Sequence, residues 1–212
     1  MLKKYLFLAA ELILYVLLLT TGGDLAIYSS FGAIMLCFLY GLFSEKPGLL
    51  KLGLLFTVFA DFCLVICSPR QQLWGMVFFL VVQSLYACYL HTKKKSGVML
   101  LVRLLLIAAV EAAALLVLKN NADLLALISV CYYVLLVTNM IHAFLSKDLH
   151  LGIAFCLFML CDTVIGLQEA STGYLPIGEN TLLYKLLFVD FNLAWVFYLP
   201  SQVLIALKTK KV

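Results

Sequence analysis

Two aspartates stand where an aspartate is expensive. Asp61 interrupts the apolar run Ala60-Asp61-Phe62-Cys63-Leu64-Val65-Ile66, and Asp162 interrupts Cys161-Asp162-Thr163-Val164-Ile165-Gly166-Leu167. An ionisable group inside such a run faces the interior of a helix bundle or a water-filled cavity, because hydrocarbon cannot solvate it. Two carboxyls in one low-dielectric layer cannot both ionise cheaply, so they tend to share one proton. A shared proton provides a general acid beside a general base. Two other readings of the same residues stand beside this one. Each aspartate could simply hydrogen-bond a neighbouring helix, or Thr57 one turn away; or the pair could mark a proton or ion path.

Depth can be read from rise per residue. At 1.5 Å per residue, Asp61 lies roughly 15 Å beyond Lys51, Asp162 about 18 Å beyond His150 and Gln83 about 12 Å before His91, so all three fit one layer near mid-membrane. Gln83 and Gln202 each occupy the apolar run that follows an aspartate run, and Tyr86 lies one helical turn from Gln83. Both glutamines and Tyr86 are candidates for contact with a substrate. Glu11 and Arg103 sit at similar shallow depths, and a buried ion pair between the first and fifth runs is expected, since a lone buried charge is far more costly than a paired one. Glu111 and Asp190 fall in the outer half, either snorkelling or lining a mouth. His91, His142 and His150 match no metal-ligand spacing and lie more than about 10 Å from the aspartate layer, so neither metal nor cofactor is expected. Pro200 should free a carbonyl in the last run, to be satisfied by a polar neighbour.

The elements that must carry these residues are membrane helices. Of the 212 residues, 65% are hydrophobic and only 12% charged, far from the balance of a water-soluble domain. Apolar runs fall near 5–21, 25–43, 50–68, 73–91, 98–118, 124–144, 151–168 and 186–207. Most approach the length of about 20 residues that crosses a bilayer, and their continuity excludes the alternation of a β-barrel. The expectation is an all-α polytopic integral membrane bundle of about eight transmembrane helices, with residues 1–212 forming a single transmembrane domain. The first run is read as a retained span rather than a cleaved signal. The stretch from Glu169 to Lys185 reads as a loop punctuated by Gly173, Pro176 and Gly178.

Charge fixes an orientation. Lys3, Lys4, Lys46, Lys51, Lys93, Lys94, Lys95, Lys147, Lys208, Lys210 and Lys211 fall on one side, against Arg70, Lys119 and Lys185 on the other. By the positive-inside bias, both termini are cytoplasmic, in a plasma membrane of bacterial type. The net charge of +4 is thereby explained without nucleic acid as a partner. All seven cysteines fall in apolar runs and read as packing residues, not as a disulfide framework. The two aspartate runs lie four spans apart, which leaves room for a duplicated 4+4 arrangement with parallel halves.

Several of these stretches carry a family resemblance. Gly53-Leu54-Leu55-Phe56-Thr57-Val58-Phe59-Ala60-Asp61, Phe78-Phe79-Leu80-Val81-Val82-Gln83-Ser84-Leu85-Tyr86, Phe155-Cys156-Leu157-Phe158-Met159-Leu160-Cys161-Asp162 and the terminal run from Phe197 to Leu207 resemble the YhhN family of lysoplasmalogenase-like membrane proteins. Ala60 stands where that family usually has glycine, Cys161 where it has serine and Gln83 where it commonly has histidine. The resemblance implies hydrolysis of the vinyl ether bond of a lysophospholipid of the lysoplasmalogen type, with Asp61 and Asp162 catalytic and Gln83, Tyr86 and Gln202 orienting the lipid. A small proton-coupled transporter and a non-catalytic member of the same fold are the alternatives.

Overall fold

The computed structural model describes residues 2–118, 123–173 and 178–209. Lys119, Pro176, Lys210 and Lys211, all used in the sequence reading, lie outside them. Within these residues the chain is helical: α1 (Leu2–Thr20), α2 (Gly23–Phe43), α3 (Gly48–Asp61) continued by a π-helical turn (Phe62–Ile66), α4 (Gln72–Lys93), α5 (Gly97–Leu118), α6 (Leu124–Leu145), α7 (Leu149–Gly173), the short α8 (Leu182–Leu187) and α9 (Leu193–Leu207).

Six of these, α2 to α7 with the π turn included, are long and apolar enough to cross a membrane. α1 has nearly the same length but carries Lys3, Lys4 and Glu11, and α9 has 15 residues. Both pack into the bundle, α1 on α2 and α9 on α7, so the fold is the expected all-α polytopic membrane bundle. Large apolar side chains face outward along most helices, most completely on α5, whereas Glu11, Thr57, Asp61, Gln83 and Arg103 are buried. A bundle solvated by hydrocarbon has no reason to hide leucine, but every reason to hide a charge.

Two expectations are corrected. The stretch from Glu169 to Lys185 is not simply a loop: α7 runs on to Gly173, and Thr181 opens α8 by accepting from the Tyr184 amide at 3.2 Å. The eighth run begins at Leu193 rather than residue 186, and Asp190 is exposed in the connection before it. Asn192 at the entrance to α9, and Asp190 beside it, supply the polar break that hydropathy alone passes over.

The helices pack in a repeating order. α1 meets α2, α2 meets α3 and α3 meets α4; in the second half α5 meets α6, α6 meets α7 and α7 meets α9. The last helix of each half then crosses to the other: α4 packs on α6, and α9 packs on α2. Glu11 and Arg103 occupy matching places in this scheme, each reaching from the first helix of its half into the second. Glu11 Oε1 accepts from Cys37 Sγ at 3.2 Å, and Arg103 Nε donates to Thr138 Oγ1 at 3.3 Å. They do not pair with one another, which corrects the ion pair expected between them. Their similar depth reflects equivalent positions in two halves, and the stabilisation of Arg103 comes from neutral acceptors.

One end of the bundle is stitched by lysines. Lys46, in the turn between α2 and α3, is buried and donates to the carbonyls of Ile205 and Ala206 at the end of α9. Burial, aided by Lys51 and Lys208, outweighs the nearby Cys37 and brings its ammonium down to about 7. In the matching turn between α6 and α7, Asp148 pairs with Lys93 and with Lys208, both at 2.6 Å. Burial pushes that carboxyl up, but the hydrogen bonds from Lys208 and Lys93 outweigh it and hold Asp148 below the usual carboxylate range. His150 Nε2 adds a bond to Leu204 O at 2.7 Å.

Candidate active site

Asp61 and Asp162 each lie thirteen residues into a helix, Asp61 counted from Gly48 and Asp162 from Leu149. Both helices start from the lysine-stitched end, so both carboxyls reach a depth of about 20 Å. Asp61 is the last residue of α3 before the π turn, where the Cys67 amide bonds Phe62 O, five residues back. Such turns insert one residue into the helix, and are found frequently at functional sites.

Each aspartate has a tyrosine from a distant helix. Tyr198 on α9 donates to Asp61 Oδ2 at 2.6 Å, and Tyr132 on α6 donates to Asp162 Oδ2. The two tyrosines flank one aromatic cluster. Phe79 of α4 contacts Tyr132 at 5.8 Å and Tyr198 at 6.3 Å between ring centroids, and Phe158 of α7 contacts the same two rings at 6.4 and 5.3 Å. Asp61 and Asp162 are thereby brought to one place, within electrostatic range of each other. Five helices, α3, α4, α6, α7 and α9, converge here because α4 and α9 cross between the halves. The simpler pairing with Thr57 is not made: its hydroxyl donates to Gly53 O of its own helix at 3.0 Å.

The remaining sequence candidates sit nearer the lysine-stitched end and do not bond either aspartate. Gln83 is fully buried and accepts from Asn139 Nδ2 at 3.0 Å; its own Nε2 has no partner among the described residues. Asn139 in turn accepts from Arg103 Nη2 at 2.7 Å, and the same nitrogen lies 3.3 Å from His142 Nδ1. Gln83 therefore belongs to a polar chain from α4 through α6 to α5. Tyr86 packs so closely on Gly53 that a Cβ there would come within 2.2 Å of its ring. Its hydroxyl lies beside Thr57 and, among the described residues, has no partner in hydrogen-bonding geometry. Gln202 is buried next to Ser201, to which Nε2 donates weakly at 3.4 Å, and its Oε1 has no partner among the described residues. Phe79, Gln83 and Tyr86 share one face of α4 at i, i+4 and i+7, so Gln83 and Tyr86 extend the interior downward from the aromatic cluster, and Gln202 on α9 lies one turn below Tyr198.

Tyr132, Tyr198, Phe79 and Phe158 are the site residues that sequence reasoning missed. A tyrosine inside an apolar run is unremarkable on its own, and nothing in its spacing says that it reaches an aspartate 137 residues away. Pro200 behaves as expected. The carbonyl it frees, Val196 O, accepts from Tyr15 OH at 3.3 Å, a donor not anticipated. Among the described residues no group of histidine, cysteine, aspartate or glutamate side chains is arranged to hold a metal ion, and all seven cysteines are free thiols.

These features define a class: a polytopic α-helical membrane protein whose interior holds two carboxyls, each buttressed by a phenol. Residues 25–209 match the model of the YhhN family, and the chain belongs to that family. Comparison with curated proteins and with solved structures gave no match.

Proposed function

We propose that this protein is a lipid hydrolase resembling lysoplasmalogenase, cleaving the vinyl ether bond of a lysophospholipid within the membrane. The observation that carries the reading is the meeting of Asp61 and Asp162 at one aromatic cluster, each accepting from its own tyrosine. Membership of the YhhN family fits it.

The chemistry balances with two carboxyls and no cofactor. The protonated carboxyl delivers its proton to the vinyl carbon remote from oxygen, and the double bond's electrons form that C–H bond, leaving an oxocarbenium cation. The ionised carboxylate stabilises the cation and takes a proton from the water that adds to it, as in glycosidase carboxylate pairs. The resulting hemiacetal gives its hydroxyl proton to the first carboxylate while the second protonates the departing glycerol oxygen. Aldehyde and alcohol leave, and the pair returns to its starting protonation. The aromatic wall of Phe79 and Phe158 suits both an apolar chain and a cation. With the lysine-stitched end cytoplasmic, as positive-inside bias requires, Gln83, Tyr86 and Gln202 lie on the cytoplasmic side of the aspartates, where the polar glycerol part of a single-chain lipid would rest.

The test is release of fatty aldehyde from lysoplasmalogen by the purified protein in detergent, with Asp61→Asn and Asp162→Asn as controls. Turnover that survives in both folded variants removes this mechanism.

A second reading, a non-catalytic member of the family, is favoured by one observation. Gln83 stands where the family commonly has histidine, cannot titrate and gives its oxygen to Asn139. Absence of aldehyde release from both the native chain and Gln83→His favours that reading; release by the native chain removes it.

A further inference from the structure

The polar chain from α5 to α4 has a direction imposed by its first member. A guanidinium can only donate, so Asn139 turns Oδ1 toward Arg103 Nη2, at 2.7 Å, and its Nδ2 is left to face α4. There Nδ2 donates to Gln83 O at 2.8 Å and to Gln83 Oε1 at 3.0 Å. With its oxygen taken, Gln83 presents a donor to the interior. That donor, Nε2, belongs to a fully buried side chain and has no partner among the described residues.

Gln202 occupies the matching place on α9. Both helices end at the lysine-stitched end, where Asp148 joins Lys93 to Lys208, and Phe79 of α4 meets Tyr198 of α9 with ring centroids 6.3 Å apart. Gln83 and Gln202 each follow these rings by four residues, so each lies on the same helix face as its ring, about 6 Å nearer the stitched end. Gln202 is also fully buried; with Nε2 directed to Ser201, its Oε1 is an acceptor with no partner among the described residues. The two glutamines therefore offer one donor and one acceptor at one level. Buried polar atoms left unpaired are costly. A group that satisfies both at once must accept and donate, as a hydroxyl does and an ether or ester oxygen does not.

We infer that Gln83 and Gln202 form a subsite for a ligand hydroxyl, with Arg103 and Asn139 as the positioning residues that keep Gln83 turned as a donor. The identity of the ligand rests on the hydrolase reading. On that reading the hydroxyl is the free one on the lysolipid's glycerol, a few bonds from the vinyl ether, as the glutamines are one turn from the Tyr198 that holds Asp61. An acyl ester at that carbon would leave Gln202 Oε1 without a donor.

Binding can be measured without turnover. The probes are an alkyl-glycerophosphocholine, whose saturated ether offers no vinyl carbon to protonate, and two counterparts in which its glycerol hydroxyl is replaced by hydrogen or by methoxy. Trp195 packs on Tyr198 at 5.0 Å between ring centroids, and in a Trp74→Phe background it is the single tryptophan, so its fluorescence reports occupancy in the full chain in detergent. The hydroxyl probe should bind tighter than both counterparts by about tenfold or more. Gln83→Leu and Gln202→Leu should each abolish that preference while leaving the affinity for the hydrogen counterpart unchanged. Asn139→Asp keeps the acceptor for Arg103 but removes the donor to Gln83, and the preference should shrink there too, which a purely structural asparagine would not cause.

Equal affinity for the three probes, or no binding of any, overturns the subsite and leaves the glutamines holding a water only; this comparison needs no glutamine variant to fold. A leucine variant that weakens all probes in proportion overturns it as well. Aldehyde assays with lysoplasmalogen and its counterpart lacking the hydroxyl separate the two ideas. The expected preference without aldehyde release counts against the hydrolase alone, and aldehyde release with the same KM for both substrates counts against the subsite alone.

Discussion

The Tyr198 hydroxyl reaches Asp61 Oδ2 at 2.6 Å across 137 residues of sequence. That bond ties the last helix to the third, and it makes the aspartate's environment a property of the whole bundle. Under the hydrolase reading, Asp61→Asn and Asp162→Asn should each lower aldehyde release by about 10²–10⁴-fold, the usual range for a positioned acid or base. The double variant should fall little further, because the two act as a unit. Steady-state assays of the three proteins check this, and losses that multiply would show independent roles.

Gly53→Ala should destabilise the protein although alanine is the better helix former. The helix gain is about 1 kcal/mol, whereas the new Cβ would lie 2.2 Å from the fully buried Tyr86 ring, and overpacking typically costs about 1–3 kcal/mol. Thermal unfolding in detergent should show a lower midpoint for Gly53→Ala, partly recovered when Tyr86→Leu is added.

Asn139→Leu should be worse than Arg103→Met. Removing the arginine takes away a buried cation with its desolvation cost and orphans one neutral acceptor, Asn139 Oδ1, a loss of about 1 kcal/mol. Removing Asn139 leaves the guanidinium without its 2.7 Å acceptor and Gln83 Oε1 without its donor, a loss of about 3 kcal/mol. Unfolding midpoints of the two variants should rank in that order.

Lys46 gives a pH dependence of definite sign. Its ammonium, buried and facing Cys37, Lys51 and Lys208, is brought from 10.5 down to about 7. Between about 7 and 10.5 the unfolded chain binds the proton that the folded chain has released, so this residue makes stability rise with pH across that window. Lys46→Met should flatten the rise in midpoints measured from neutral to alkaline pH, and an unchanged slope would assign it to other groups.

Asp148 works in the acid range. Its folded carboxyl is held below the usual value, so its contribution is fully present above the unfolded carboxylate's pKa and is lost as pH falls through the lower folded one. Asp148→Asn removes the partner of Lys93 and of Lys208 at once. Its midpoint should be lower at neutral pH, and the gap to the native protein should close on acidification.

Much of this architecture was legible in the sequence because hydrocarbon is an unforgiving solvent. The apolar runs gave the helices, the sorted lysines gave which ends share a side, and the repeated aspartate runs gave two carboxyls at one depth. Depth, however, is only one coordinate. Glu11 and Arg103 have similar depths yet sit in different halves, and rise per residue carries no information about azimuth. Gln83, estimated to share the layer of the aspartates, sits nearer the lysine-stitched end and turns toward Asn139. Tyr132 and Tyr198 were invisible because a phenol in an apolar run packs as well against lipid as against a carboxyl.

The exchange of α4 and α9 between the halves bears on how the protein is made. During synthesis α3 and α4 enter the bilayer long before α9 exists, so Asp61 waits in hydrocarbon without the phenol that will hold it, and a nascent chain halted before α9 carries an acid with no companion. Native structure in this region is therefore completed late, by the arrival of one short helix, and any quality-control step that senses unshielded polar groups in the membrane would meet this protein at that moment.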